Sequence, residues 1–116
     1  MTKKLFTSLA VLALGGCASI QLPPDRLERS QASIRGAEEL GASTVPKAKL
    51  HLQLAQDETE TAKKLASEGD SRAILLLARA ESDAELALVL AREVQTHREA
   101  MQAAEDLKAV QARGAP

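Results

Sequence analysis

From Ser71 to Gly114 nothing in the sequence interrupts a helix: the stretch holds no proline and reaches no glycine before its end. At 1.5 Å per residue it spans about 60 Å, so the chain is committed to an elongated all-α fold. One row of small and apolar side chains, Ala73, Leu77, Ala80, Ala84, Ala87, Ala91 and Val94, alternates in steps of four and three. That is the seam of a helix packed along a partner. The partner precedes it. Residues 46–67 carry the same spacing in Ala48, Leu52, Ala55, Thr59, Ala62 and Ala66. Between the two lies only Glu68-Gly69-Asp70, with Asp70 placed to cap the later helix. A link this short makes the helices antiparallel neighbours, and an antiparallel hairpin of 46–67 and 71–113 is expected.

A further helix is expected upstream. Pro23 and Pro24 stop any earlier helix, Asp25 can cap a new one over residues 25–40, and Leu27, Ile34 and Ala37 share one of its faces. Gly41 suits its C-terminal stop, residues 42–45 form a loop, and Pro46 suits the first turn of the next helix. Alanine provides 20 of the last 100 residues and dominates both seams, so contacts are close but bury little apolar area each. The product is a slender rod without a deep core. Two runs, Ile74-Leu75-Leu76-Leu77 and Leu86-Ala87-Leu88-Val89-Leu90, nevertheless cover about 300 to 400° of helix circumference. Leu50 and Leu54 add a stripe beside the Leu52 seam. The first helix folded back on the hairpin, as a three-helix bundle, is the expected cover. A kinked coiled-coil-like rod with that helix beside the tail of the third is the alternative.

The first sixteen residues are of a different kind. Lys3 and Lys4 precede a short apolar stretch containing Leu5, Phe6, Leu9, Val11, Leu12 and Leu14, with no charge until Asp25. A basic start and a short apolar run read as an export signal, too short to cross a bilayer as a helix. Without residues 1–16, thirteen basic and sixteen acidic residues leave a net charge of −3 and no Phe, Tyr or Trp. Mild acidity argues against a nucleic-acid partner. The lack of aromatic faces removes base stacking and cation–π cages.

Cys17 is the sole cysteine, so no intramolecular disulfide can form. Leu14-Gly15-Gly16-Cys17 resembles the lipobox of bacterial lipoproteins, with an aliphatic residue three before the cysteine and small residues between. The resemblance implies signal-peptidase recognition through Leu14, Gly15 and Gly16, and a diacylglycerol and an N-acyl chain on Cys17. It makes residues 1–16 the signal peptide, 17–24 a lipidated tether and 25–113 the helical domain. Ala18 follows the cysteine where inner-membrane lipoproteins carry Asp, so the family's sorting rule implies the periplasmic face of the outer membrane. Two or more acyl chains suffice for stable anchoring. The alternative reading of Cys17 is a lone buried thiol behind an ordinary cleaved signal.

Residues from about Leu27 to Ala100 resemble an uncharacterised domain family of short bacterial envelope lipoproteins, also found ahead of peptidoglycan-binding domains of the outer-membrane protein A type. The likeness rests on the Gly41-Ala42 break, the Val45-Pro46 restart, and the runs Leu52-Gln-Leu-Ala55 and Ala84-Glu-Leu-Ala87. It implies an envelope role and carries no catalytic residues.

Chemistry-bearing patterns are sparse. His51 and His97 are the only histidines; they fall many turns apart in the hairpin and read as solvated. Asp57, Glu58 and Glu60 precede Lys63 and Lys64, with Glu60 and Lys64 in the favoured surface-pair order. Glu81, Asp83 and Glu85, between Arg79 and Arg92, read as a solvated face too. There is no phosphate loop, nucleophile elbow or zinc motif. No catalytic residue, metal or non-covalent cofactor is expected. The expected function is a lipid-anchored structural or interaction protein, meeting a second copy or an envelope protein. The alternative is a binding module or carrier for an apolar ligand such as lipid, with Leu86–Leu90 lining a groove.

Overall fold

The computed structural model describes residues 19–114, which form three helices: α1 (Pro24–Glu39), α2 (Pro46–Ser67) and α3 (Arg72–Gly114). No strand occurs among the described residues. The chain is all-α, and its element boundaries fall within one residue of those the sequence predicts.

Helix starts and stops follow from local chemistry. Asp25 does not cap α1, contrary to expectation. The helix begins one residue earlier at Pro24, after Pro23, with no side-chain cap. Proline in the first position lacks one of the N–H groups that a helix start leaves unpaired and already holds a helical φ, so it suits the opening of the helix. Asp25 lies in the first turn, where a carboxylate favours the positive end of the helix dipole. At the other end Gly41 takes φ 75°, a left-handed value that suits glycine, and its N–H donates to the Glu38 carbonyl at 2.9 Å. The loop is one 3₁₀ turn, Ala42–Thr44, closed by the Thr44 hydroxyl donating to the Gly41 carbonyl at 2.8 Å. Val45 is then extended, as the residue before Pro46 must be. Between α2 and α3, Gly69 turns the chain at φ 77° and Asp70 accepts the Arg72 N–H at 2.9 Å, which makes it the expected cap.

All six α2 seam residues are buried, and so are the α3 seam residues from Ala73 to Ala91. Of thirteen buried apolar residues among the described ones, eleven are alanine and two are leucine, Leu52 and Leu77. The helices therefore approach closely around a thin interior. α3 is the central strut, along which both other helices pack, while α1 and α2 touch far less. α1 lies back along the hairpin: Arg29 Nε meets Glu81 Oε1 at 3.0 Å, and Gly36 lies against Leu88. This is the three-helix arrangement. The first helix is not beside the tail of α3.

Where the helices converge, Ala37, Ala42, Ala48, Leu52, Ala87 and Ala91 form one buried cluster, flanked by Ile34, Leu40, Val45, Leu88 and Leu90. A buried hydroxyl pair joins α1 to α2. Thr59 donates to the Ala55 carbonyl at 2.7 Å, so Ser30 must supply the proton of its 3.3 Å contact with Thr59.

Candidate functional site

Leu14, Gly15, Gly16, Cys17 and Ala18 lie outside the described residues. The tether that follows is not free. The Ile20 N–H donates to the Ala66 carbonyl at 2.8 Å, an oxygen that also receives the Gly69 N–H at 3.1 Å. The described part of the chain thus begins at the hairpin turn.

The α2–α3 groove opposite α1 holds a chain of polar contacts that the sequence reading did not foresee. His51 Nδ1 donates to Asp83 Oδ1 at 2.7 Å, and Arg79 Nε donates to Glu58 Oε1 at 3.0 Å. His51 and Asp83 are mostly covered, and Glu58 is 9% exposed. Solvation, expected for all three, is therefore corrected. Each sits immediately before a seam residue, where its side chain folds over the partner helix instead of into water. Glu81, also expected on a solvated face, is mostly covered where Arg26 and Arg29 of α1 reach it. Asp57, Glu60 and Glu85 are exposed, and Glu60 forms no ion pair with Lys64 among the described residues.

Glu58 is the least comfortable member of the chain. Its Oε2 is buried without a hydrogen-bond partner. Burial pushes its carboxyl above the ordinary range, and the nearby Asp83 charge pushes the same way, while Arg79 pulls it back. At the turn, Asp70 is held below the ordinary carboxylate range by its hydrogen bonds from the Arg72 guanidinium, then from the Arg72 backbone N–H. The same carboxylate raises Arg72.

These contacts link the helices to one another. No nucleophile is hydrogen-bonded to His51 among the described residues. His97 is exposed, fourteen residues along α3 from Asp83 and so about 21 Å away. No group of three His, Cys, Asp or Glu among the described residues could hold a metal ion. No described helix is long and apolar enough to cross a membrane.

Two other surfaces stand out. An open groove of about 730 Å³ lies where α2 begins, lined by Val45, Pro46, Leu90 and Val94 with His97 and Arg98 at its edge. Beyond it α3 continues alone, every residue from Thr96 to Gly114 exposed. This free segment keeps the spacing of a seam in Ala100, Ala103, Leu107 and Val110, with Leu107 58% and Val110 64% exposed. Its helicity follows from continuity, since the packed part of α3 supplies the nucleus and only propagation remains. Gln95 adds a 2.8 Å side-chain bond to Glu99 at the junction. The expectation that α1 would cover the apolar excess holds for part of it: Leu88 is packed, while Leu50, Leu86 and Val89 stay exposed.

No protein-family model, curated protein or solved structure matches this chain.

Proposed function

We propose that this chain is a lipid-anchored structural or interaction protein of the bacterial cell envelope, held on the periplasmic face of the outer membrane through Cys17. The observation that carries this reading is the run Leu14-Gly15-Gly16-Cys17 behind a short basic and apolar leader. A site whose polar groups join the helices to one another also supports it. The unpacked seam of α3 supplies the surface for a partner helix, from a second copy or from another envelope protein. No catalysis is assigned. Labelling cells with a fatty-acid analogue tests the anchor: label on the wild type that disappears in Cys17→Ser is expected, and label retained in the variant refutes it.

The open groove at Val45, Leu90 and Val94 favours one second reading, a module that holds an acyl chain. Its size lies within the range of small-molecule sites, but it is open to solvent. Native mass spectrometry of the protein released from its anchor tests this. A co-purifying lipid supports the carrier, and the bare protein mass dismisses it.

A further inference from the structure

The end of the rod that bears the tether is also the end with the most exposed large apolar side chain. Leu75, in the first turn of α3, is 75% exposed, and its neighbour Ile74 is 41% exposed. Leu65 and Leu76 continue the apolar surface beside Leu75. Nothing in the bundle calls for a leucine there, because the α3 seam at this level is Ala73 and Leu77. The charges of this tip are Lys63, Lys64 and Arg72 against Glu68 and Asp70, an excess of one cation, with the exposed Arg72 paired to Asp70 at 2.6 Å.

Chain length decides what faces these residues. Ile20 is fixed to the Ala66 carbonyl at the turn, and Cys17 lies three residues upstream. Three residues reach at most about 11 Å. Acyl chains on Cys17 would therefore hold the turn within about a nanometre of the bilayer surface. At that effective concentration even a small apolar contact forms, although the same contact free in solution would not.

We propose that the hairpin tip is a membrane-contacting end. Leu75 and Ile74 enter the headgroup boundary of a phospholipid surface, Lys63 and Lys64 face its phosphates, and α3 stands away from it. The occupant is the lipid surface itself. The 43 residues of α3 then carry its C-terminal end to about 65 Å from the membrane when the helix is upright. This inference rests on the anchor proposed above, so its test reads the two separately.

Cys17 is the only cysteine, so a thiol placed elsewhere can be labelled alone once Cys17 is acylated. The acylated protein, purified from cells as Leu75→Cys or Val110→Cys, takes a polarity-sensitive nitrobenzoxadiazole probe. It is then reconstituted in vesicles of phosphatidylethanolamine and phosphatidylglycerol. Intact mass establishes acylation first. Expected is blue-shifted emission, quenched by spin-labelled lipid, at position 75, with water-like emission at 110. Water-like emission at 75 in acylated protein overturns the tip contact and leaves the anchor standing. Blue-shifted emission at both positions means the rod lies along the membrane and overturns the upright arrangement. A mass showing no acyl group on Cys17 removes the anchor and this inference with it.

Discussion

Leu52→Ala tests whether the three helices share one interior. Leu52 is the only residue larger than alanine in the buried cluster where α1, α2 and α3 meet. The substitution removes three carbons, and at about 0.8 kcal/mol for each buried methylene the transfer loss is about 2.4 kcal/mol. The neighbours Ala37, Ala48, Ala87 and Ala91 have no side-chain length with which to fill the space, and each sits on a helix already in close approach. A cavity contribution therefore adds to the transfer loss, for a total of about 3–4 kcal/mol. For a domain of this size each kcal/mol shifts Tm by about 4–8 °C, so a fall of about 12–30 °C is expected. Thermal unfolding followed by circular dichroism measures it. Leu107→Ala is the internal control, because Leu107 is 58% exposed on the unpacked part of α3 and its loss stays within about 0.5 kcal/mol. A Leu52→Ala shift no larger than that of Leu107→Ala would mean that Leu52 does not bridge the helices, and the argument for a shared interior would fail.

Glu58→Gln removes a carboxyl that burial holds above its ordinary range. A raised folded pKa means that stability from this group is complete below the unfolded value and lost as pH climbs through the folded one. The variant should therefore gain Tm relative to wild type as pH rises above the ordinary carboxylate range; an offset independent of pH would refute the assignment. Asp70 is the opposite case: its lowered carboxyl stabilises above the usual range, and that contribution fades as pH falls through its folded value. Asp70→Ala should lower Tm more at neutral pH than in strong acid, where only the cap bond is lost, and an equal loss at both would refute a role for the charge. Gly41→Ala places a Cβ at φ 75° and should cost about 1–2 kcal/mol in chemical denaturation, whereas a neutral result would mean the turn relaxes out of the left-handed region.

The sequence makes the packing legible because seam positions recur with a fixed period. The six α2 seam residues and those of α3 through Ala91 are named by spacing alone and are all buried. The end of the bundle is legible too. Pro46 lies 24 residues before Asp70 and Val94 lies 24 after it, so α3 runs out of hairpin partner at Val94. The polar contacts were harder to see. A charged residue beside a seam can extend into water or fold across to the neighbouring helix, and spacing does not choose between these. His51 and Glu58 are seven residues apart on α2, at the same heptad position, and meet Asp83 and Arg79 across the hairpin. Pairing flanking positions across the turn would have found them. Ser30 is illegible for a different reason: its partner Thr59 reads as a small seam residue, and nothing in the first helix marks one serine as buried. The start of α1 was displaced because proline and aspartate both signal a helix start and stand next to each other.

The free segment of α3 gives the function its sharpest test. The alanine seams of α2 and α3 bury their small side chains because each has a facing helix, and Ala100, Ala103, Leu107 and Val110 repeat that spacing with no facing helix. If a partner helix completes this seam, a charge at its centre should abolish the association without touching the bundle. Leu107→Glu combined with Val110→Glu buries nothing in the isolated chain, since both positions are more than half exposed. Its effect on Tm should stay within the few degrees expected of surface changes. In the complex the same change would leave two carboxylates desolvated against an apolar stripe, at several kcal/mol or about a thousandfold in affinity. Crosslinking in cells through photoreactive residues at Ala103 reads the outcome. Loss of the crosslinked species in the double variant, with Cys17 still acylated and Tm preserved, is the expected result. An unchanged crosslink pattern would place the partner elsewhere, and the exposed face of Leu50 and Leu86 would be the next surface to examine.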